Sequence, residues 1–548
     1  MTKFQELLKQ GRYEELWQRC CGFIDLSLKN FMNIQQQLLL EQLELMKKCE
    51  LGYYILNGAN PRNVDEFREQ VPLTTYADYA PYLLKRRKSI LPEKPLVWLR
   101  TQGSTGEYPH KWIPVTGRLY EELGSVMLGI LIFSSCKQRG EITLRERDKY
   151  LYALAPVPYL SGISGRRIDD ECIIDFLPPL DEAEKMEFTD RIQQGFNLAL
   201  FNGMDMLTGI SSVLVTIGER FSQVSKNMDI KPFLRNPRAL FWIVKGLTKS
   251  KLARRPMLPK DVWSLKGVVA ADTNVLKNRI KGIWGCYPLS IYSCTEATII
   301  ATQTWDYQGM TFIPNLNFFE FVPEKESLKL RQDPLYQPVT LLLDEVKAGE
   351  NYELVITNFL GGALVRYRIG DMIRITSLRN DQLNIDIPQM VFYSRVDDWI
   401  DIAGLAQLTE NIIWQAIERS GVAYKDWTAF QEVIGKPRIH LYLELKEDGK
   451  RKKEDIALGI HQQLSKIDSN YASLESLTGL RPLEVTLLPA NAFQDYILMQ
   501  QASGTELAHF RIPHINPPQS MLDFLTDSTH QLTVTSRKER QPVSVSSR

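Results

Sequence analysis

Two short segments carry the residues best suited to chemistry. Tyr292-Ser293-Cys294-Thr295-Glu296 sets a hydroxyl and a carboxylate directly after the apolar run Leu289-Ser290-Ile291. Arg366-Tyr367-Arg368-Ile369-Gly370-Asp371 sets a second carboxylate behind a glycine turn, again after a strand-like run. Hydroxyls and carboxylates at the carboxyl ends of strands are what a nucleotide and its magnesium require. Upstream, Thr101-Gln102-Gly103-Ser104-Thr105-Gly106 follows another strand-like run and reaches Lys111. Small residues there let backbone N–H groups approach phosphate oxygens, hydroxyls add donors, and a lysine neutralises charge. The Gly-Lys-Ser/Thr of a Walker loop is absent. Together the three segments read as an ATP site able to activate a carboxylic acid.

Within that site Tyr292 offers a face for a base, Thr295 a bond to phosphate and Glu296 a seat for Mg²⁺. Asp371 is placed to accept ribose hydroxyls, as acidic residues do in dinucleotide folds. Taken singly, each segment has a plainer reading. The loop can be a Gly-Ser turn, and Ser293 or Thr295 can cap a helix. Asp371 can join Arg366, Arg368 and Arg374 in a surface salt-bridge cluster, and Arg395-Val396-Asp397-Asp398 can be a charged linker.

The elements that must position these groups are strands alternating with helices, which argues for an α/β body. Val97-Trp98-Leu99, Val268 to Ala271, Leu289 to Tyr292, Phe318 to Val322 and Glu353 to Thr357 read as strands. Residues 1 to 70 read as helices, a further helix starts near Arg118, and 181 to 255 read as mostly helical. Met127, Met204, Met206 and Leu207 suggest an apolar wall for an acyl pocket, with plain core packing the stronger reading of each. After Arg374, a helical pattern from Leu408 to Ala423, a strand at His440 to Leu445, another helix and a strand at Leu483 to Leu487 make a small α+β unit. The expected division is a large domain over 1–394, a small mobile α+β cap over 395–525, and a disordered polar tail over 526–548.

Bulk composition excludes several classes. The 548 residues are 44% apolar and 24% charged with net charge +1, so no general field attracts nucleic acid or anionic membrane. A basic stretch from Arg235 to Arg255, interleaved with Phe241, Trp242, Ile243 and Val244, reads as the solvated face of a helix. The seven cysteines show no metal-knuckle spacing and read as reduced thiols. No signal core or spanning run is seen, so a cytoplasmic protein is expected, a monomer or weak homodimer without nucleic-acid or membrane partners.

The order of the segments carries the resemblance. Loop, strand with Tyr-x-x-Thr-Glu, strand with Gly-Asp, and Arg-x-Asp-Asp before a small domain resembles the adenylate-forming acyl ligases. Within them the chain is most similar to the auxin-responsive (Gretchen Hagen) acyl acid–amido synthetases. Phe67-Arg68-Glu69-Gln70-Val71-Pro72 with Tyr76 and Tyr79-Ala80-Pro81 carries that similarity, as do Pro314 to Pro323 and Tyr352 to Thr357 running on to Asp371. The resemblance implies Ser104, Thr105 and Gly106 in a phosphate loop, Ala271 and Asp272 near adenine, and Tyr292 stacked nearby. It implies Glu296 as magnesium ligand, Asp371 on the ribose with Arg395 helping, and Asp397 and Asp398 at a hinge.

The implied reaction is AMP-forming: ATP and Mg²⁺ activate a carboxylic acid, and an amine such as an amino acid then takes the acyl group to form an amide. A thioester-forming ligase or an inactive protein of the same fold are the alternatives. Three departures from the family pattern stand out. The phosphate loop differs in sequence; His509-Phe510-Arg511-Ile512-Pro513-His514 carries an arginine where the family has lysine; and Cys294 replaces a smaller residue. The charge-neutralising cation is therefore Lys111 or Arg511.

Overall fold

Val268, Val269 and Ala270 form an unbroken apolar run because their strand is covered on both faces, the usual condition of a parallel strand inside an α/β sheet. In the computed structural model this strand is one of eleven in the main sheet. The structure describes residues 4–101, 108, 110–171, 174–225, 236–271, 275–333, 335–396, 398–402, 406–432, 438–446, 452–478, 482–505, 507 and 510–526. The expected tail from 527 lies outside them. The chain divides into two compact units, Met1–Tyr393 and Ser394–Arg548.

In the first unit, β1 (Pro95–Arg100) and β2 (Trp112–Thr116) pair antiparallel as a separate hairpin. The main sheet is built from β3 (Lys149–Ala153), β4 (Asp175–Phe176), β5 (Met206–Ile210), β6 (Gly267–Ala271), β7 (Pro288–Cys294) and β8 (Thr298–Thr302). It continues with β9 (Met310–Phe312), β10 (Asn317–Pro323), β11 (Asn351–Asn358), β12 (Tyr367–Ser377) and β13 (Gln389–Arg395). Their spatial order is β10-β11-β12-β13-β9-β8-β7-β6-β5-β3-β4. From β4 through β3, β5 and β6 to β7 the pairings are parallel, and from β7 to β8 and β9 they are antiparallel. The change of direction falls at β7, whose end carries Tyr292 to Cys294.

Sequence periodicity misses β3 and β5. Met206 and Leu207 fall in a stretch expected to be helical but lie buried in strand β5, and with the buried Met127 and Met204 they take the core reading. The helix Gly117–Ser135 is buried on every face along its second half, which is why its apolar run has no polar break. Thr116 caps it, its hydroxyl accepting from the Leu119 N–H at 3.1 Å.

The N-terminal helices dock through buried side-chain amides. On the helix Leu28–Met46, Gln35 Nε2 donates to the Asn317 carbonyl at 2.8 Å, and its Oε1 accepts from Phe319 N–H at 3.0 Å. Two arginines near Asp371 serve packing as well. Buried Arg366 forks onto Glu320 at 3.0 and 2.7 Å, and Arg368 forks onto Glu353 at 2.7 and 3.0 Å. They do not join Asp371 in a surface cluster.

The second unit holds the hairpin β14 (Trp399–Ile402) and β15 (Ala406–Thr409) and the sheet β16 (Tyr424–Glu432), β17 (Arg438–Leu445) and β18 (Leu483–Leu488). β16 is a further strand, lying between the helix expected to end at Ala423 and the strand expected at His440. Leu441, Leu443 and Val485 pack with Ile456, Ile460 and Leu464 of the helix Lys453–Ile467, an alternating strand face meeting a helical stripe. Residues 513–516 are drawn to β16: Ala429 N–H donates to the His514 carbonyl at 2.7 Å, and Asn516 N–H to the Ala429 carbonyl at 2.9 Å. The helix Gln519–Thr526 buries Met521, Leu522 and Leu525.

Candidate active site

Glu296 stands in a three-residue connection. Cys294 pairs with Thr298 across β7 and β8, leaving Thr295, Glu296 and Ala297 as a hairpin turn. Thr295 therefore sits in a turn between antiparallel strands and does not begin a helix. Two asparagines fix the turn. Asn358 Nδ2 donates to the Glu296 carbonyl at 3.0 Å, and Asn317 Nδ2 to the Ala297 carbonyl at 2.7 Å. These asparagines face one another in the β10–β11 register and share a bond of 2.9 Å.

The Glu296 side chain is only 8% exposed and meets a cation. Lys111 Nζ donates to Glu296 Oε1 at 2.9 Å and to the Tyr367 hydroxyl at 3.0 Å. It also lies 5.5 Å and 5.7 Å from the ring centres of Tyr76 and Tyr367. Lys111 is held at the foot of the phosphate-loop segment, because its backbone N–H donates to Thr101 Oγ1 at 2.8 Å and its carbonyl accepts from Thr101 N–H at 3.0 Å. The Tyr76 hydroxyl accepts from Trp112 N–H at 2.8 Å. Burial pushes the Tyr76 phenol up to about 12. Burial, with the Glu296 charge behind it, pushes Tyr367 further in the same direction. Both phenols stay neutral donors beside the ion pair.

Asp371 is carried differently from the sequence expectation. It does not follow a strand through a glycine turn; it lies inside the eleven-residue β12. Between the pairs Val355↔Arg368 and Glu353↔Met372 the register shifts, so Ile369, Gly370 and Asp371 bulge opposite Leu354. Gly370 adopts φ +83°, open to glycine and strained for any L residue, which accounts for the glycine before the aspartate. Asp371 is buried, and its Oδ2 accepts from the Tyr292 hydroxyl at 2.8 Å. The Tyr292 ring is itself buried, with Phe392 at 5.9 Å. Its polar end therefore orients Asp371.

Cys294 lies within electrostatic reach of both carboxylates. Burial, then the charges of Glu296 and Asp371, push its thiol well above the ordinary range, and its sulfur accepts from the backbone N–H groups of Ala297 and Glu296. The cysteine thus satisfies donors of the turn that presents Glu296. Ala271 ends β6 beside Ile291 of β7, its carbonyl accepting from the Ser211 hydroxyl at 2.6 Å. Ser104, Thr105, Gly106, Asp272 and Asp397 lie outside the described residues.

In the second unit Arg395 and Arg511 converge electrostatically on one carboxylate, Glu410. Burial works to raise this carboxyl, but its bond to His514 and the charges of His514, Arg511 and Arg395 hold it below the usual range. His514 Nδ1 lies 2.5 Å from Glu410 Oε1 and Nε2 lies 2.8 Å from Asp426 Oδ1, while its ring stacks on Trp427 at 4.6 Å. Burial alone would lower His514, but Asp426 and Glu410 raise it to about 10. It stands as an imidazolium three residues beyond Arg511.

Lys111 with Glu296, and Tyr292 with Asp371, are the pairs brought together. Tyr367, Asn317 and Asn358 were not singled out for roles by sequence. The signal for the asparagines was polar residues at the ends of apolar strands. Among the described residues no group of three or more His, Cys, Asp or Glu could hold a metal ion. One carboxylate suits a Mg²⁺ that arrives on nucleotide phosphates better than a resident ion.

Three domain models of one family match in order. They are the GH3 family N-terminal domain over residues 20–155, the central domain over 310–395 and the C-terminal domain over 408–519. The jasmonoyl–L-amino acid synthetase JAR4 of Nicotiana attenuata is 27% identical over 219 residues, 38% of this chain and 35% of that protein. The 4-substituted benzoates–glutamate ligase GH3.12 of Arabidopsis thaliana is 25% identical over 288 residues, 46% of this chain and 47% of that protein. The matched stretch thus spans a third to a half of the length of these relatives. Among solved structures, the AtGH3.15 acyl acid amido synthetase in complex with 2,4-DB superposes with TM-score 0.69 at 18% identity, over 92% of this chain and 95% of the other. A 2-hydroxyisobutyryl-CoA ligase superposes with TM-score 0.57 at 12% identity, over 94% and 92%. The shared fold is that of the AMP-forming acyl ligases, and with all three of its domain models in sequence order the chain belongs to the GH3 family.

Proposed function

We propose that this chain is an AMP-forming acyl acid–amido synthetase. In the first step a carboxylate attacks the α-phosphorus of ATP, pyrophosphate leaves and an acyl adenylate forms. In the second the amine of an amino acid or similar compound attacks the acyl carbon, and AMP leaves. The carrying observation is the Lys111–Glu296–Tyr367 cluster at the foot of the phosphate-loop segment, beside the Asp371–Tyr292 pair. It gives a cation for phosphate, a carboxylate for the metal and an oriented carboxylate for ribose.

Bound Mg²⁺ would neutralise developing charge on the phosphates, held by Glu296. On the chain's side, Lys111 must release Glu296 when the phosphates enter, while the Tyr367 hydroxyl can still accept from Lys111 and donate to Glu296 through that exchange. Thr295, with Ser104, Thr105 and Gly106, is assigned to the phosphates, Ala271 and Asp272 to adenine, and Asp371 with Arg395 to the ribose. Arg511 takes the place of the family lysine as a forked donor to phosphate or carboxylate. The reading includes a 1–394 domain, a mobile 395–525 cap, a cytoplasmic location and a monomer or weak homodimer. Among the described residues no helix is long and apolar enough to cross a membrane.

The test is ATP–pyrophosphate exchange over a panel of acids, with hydroxylamine to trap the adenylate. The preformed adenylate is then offered pooled amino acids against coenzyme A, with products followed by mass. Amide as the main product is expected. Thioester without amide would make the chain a thioester-forming ligase, and no exchange with any acid would remove the enzyme reading.

A further inference from the structure

The basic stretch read as the solvated face of a helix has a different surface. The helix Pro237–Leu252 buries Ala239, Ile243 and Gly246, and turns Phe241, Val244 and Leu252 outward. Their exposures are 61%, 50% and 81%. With Thr248 they recur at three- and four-residue intervals, so they form one ridge running about 16 Å along the helix. Trp242 lies beside Phe241, ring centres 5.3 Å apart, and carries Lys245 Nζ over its face at 4.7 Å.

Cations flank the ridge on both sides. Arg238, Lys249, Lys251 and Arg254 are exposed, and none has an acidic partner among the described residues. Arg255 is the cation of this stretch that is paired, to Asp261 at 2.7 Å. From Asn236 to Lys260 the sequence has no Asp or Glu, in a chain whose net charge is only +1. Positive charge is therefore concentrated where large apolar side chains protrude.

We propose that this helix face docks on an anionic lipid surface. The charge selects an anionic partner. The shape selects a lipid one: the apolar groups stand proud on a convex ridge, and cations set beside them sit at the depth where headgroup phosphates lie. Lysine and arginine stems can lie against the acyl region while their charged ends reach those phosphates. Each such cation near an anionic surface contributes about fivefold in partition, equivalent to about 1 kcal/mol. The helix packs chiefly on the helices Phe188–Asn202 and Pro259–Val262, not on the strands that carry Glu296 and Asp371.

The experiment is co-sedimentation of the full chain with vesicles of phosphatidylcholine alone or with about one-third phosphatidylglycerol. Binding to the anionic vesicles only is expected, weakening as salt shortens the reach of the charges. Phe241→Ser with Leu252→Ser should lower partition about tenfold or more, because both lose their apolar insertion. Lys249→Glu with Lys251→Glu should do the same through charge. All four positions are exposed, so both double variants should melt with wild type. No binding to anionic vesicles, or equal binding to neutral ones, overturns the proposal. So does full binding by the Phe241/Leu252 variant, which would mark the face as a seat for an acidic protein or nucleic acid instead.

Discussion

The Lys111–Glu296 pair makes an asymmetric prediction. Glu296 is 8% exposed, whereas the Lys111 side chain is 29% exposed. Removing the acid as Glu296→Gln leaves a lysine that water can reach, and the amide oxygen still accepts from it. The stability loss should stay near that of an exposed pair, about 1 kcal/mol. Removing the base as Lys111→Met leaves a buried carboxylate whose remaining side-chain donor among the described residues is the Tyr367 hydroxyl, at 3.4 Å. Breaking a buried pair in that direction costs about 3 kcal/mol or more. The order reverses for chemistry. Glu296→Gln should fold well and bind ATP yet lose adenylation by about 10²-fold or more, since the lost charge acts on the transition state. The assay pairs denaturant melts of both variants with single-turnover pyrophosphate release at saturating Mg²⁺. Equal destabilisation by the two variants would refute the burial argument. A Glu296→Gln rate within twofold of wild type would remove the acid from the metal site.

Asp371→Ala should weaken ATP binding by about 1.5–3 kcal/mol, the range for hydrogen bonds to a charged group, and alter the rate of the bound complex less; an unchanged Kd by calorimetry would make the aspartate structural. His514 gives a pH test. Its folded pKa is raised to about 10 from an ordinary value near 6.5. Its contribution to stability is therefore complete below about pH 6.5 and lost as pH climbs through 10. The gap in melting temperature between wild type and His514→Gln should narrow across that window; a constant gap refutes the imidazolium assignment. Truncation after Thr526 should leave melting and activity unchanged, whereas removing the helix Gln519–Thr526 should lower melting, because Met521, Leu522 and Leu525 are buried. A drop of several degrees from the first cut would show that the tail docks.

The site was legible where a polar residue had no structural reason to be present. Glu296 and Asp371 stood out because each carboxylate follows an apolar strand pattern. The bulge at Gly370 was not legible: a positive-φ glycine reads the same whether it closes a turn or interrupts a ladder. β3 and β5 were missed because Tyr150 to Ala153 and Met206 to Ile210 are buried on nearly every side. Their apolar runs lack the alternation that separates strand from helix. β16 was hidden likewise, since its Trp427, Thr428 and Ala429 are successive and all buried. Arg366 and Arg368 misled because charge suggests exposure, yet their partners Glu320 and Glu353 sit inside the sheet, many residues away in sequence. The outward face of the helix Pro237–Leu252 was obscured for the opposite reason: consecutive apolar residues suggest burial all round, and only packing decides which of them is left outside.

The thiol within electrostatic reach of both site carboxylates bears on reactivity. A cysteine attacks electrophiles and peroxides as thiolate, and Cys294 is kept protonated by burial and by two negative neighbours. The other described cysteines share its direction: Cys20 and Cys136 are pushed up to about 12, Cys286 to about 11, and Cys21 and Cys49 upward as well, in each case chiefly by burial. At neutral pH all six are therefore held mainly as thiols. Thiolate-dependent reagents should react slowly at neutral pH beside the turn that presents Glu296, although a cysteine stands directly before it.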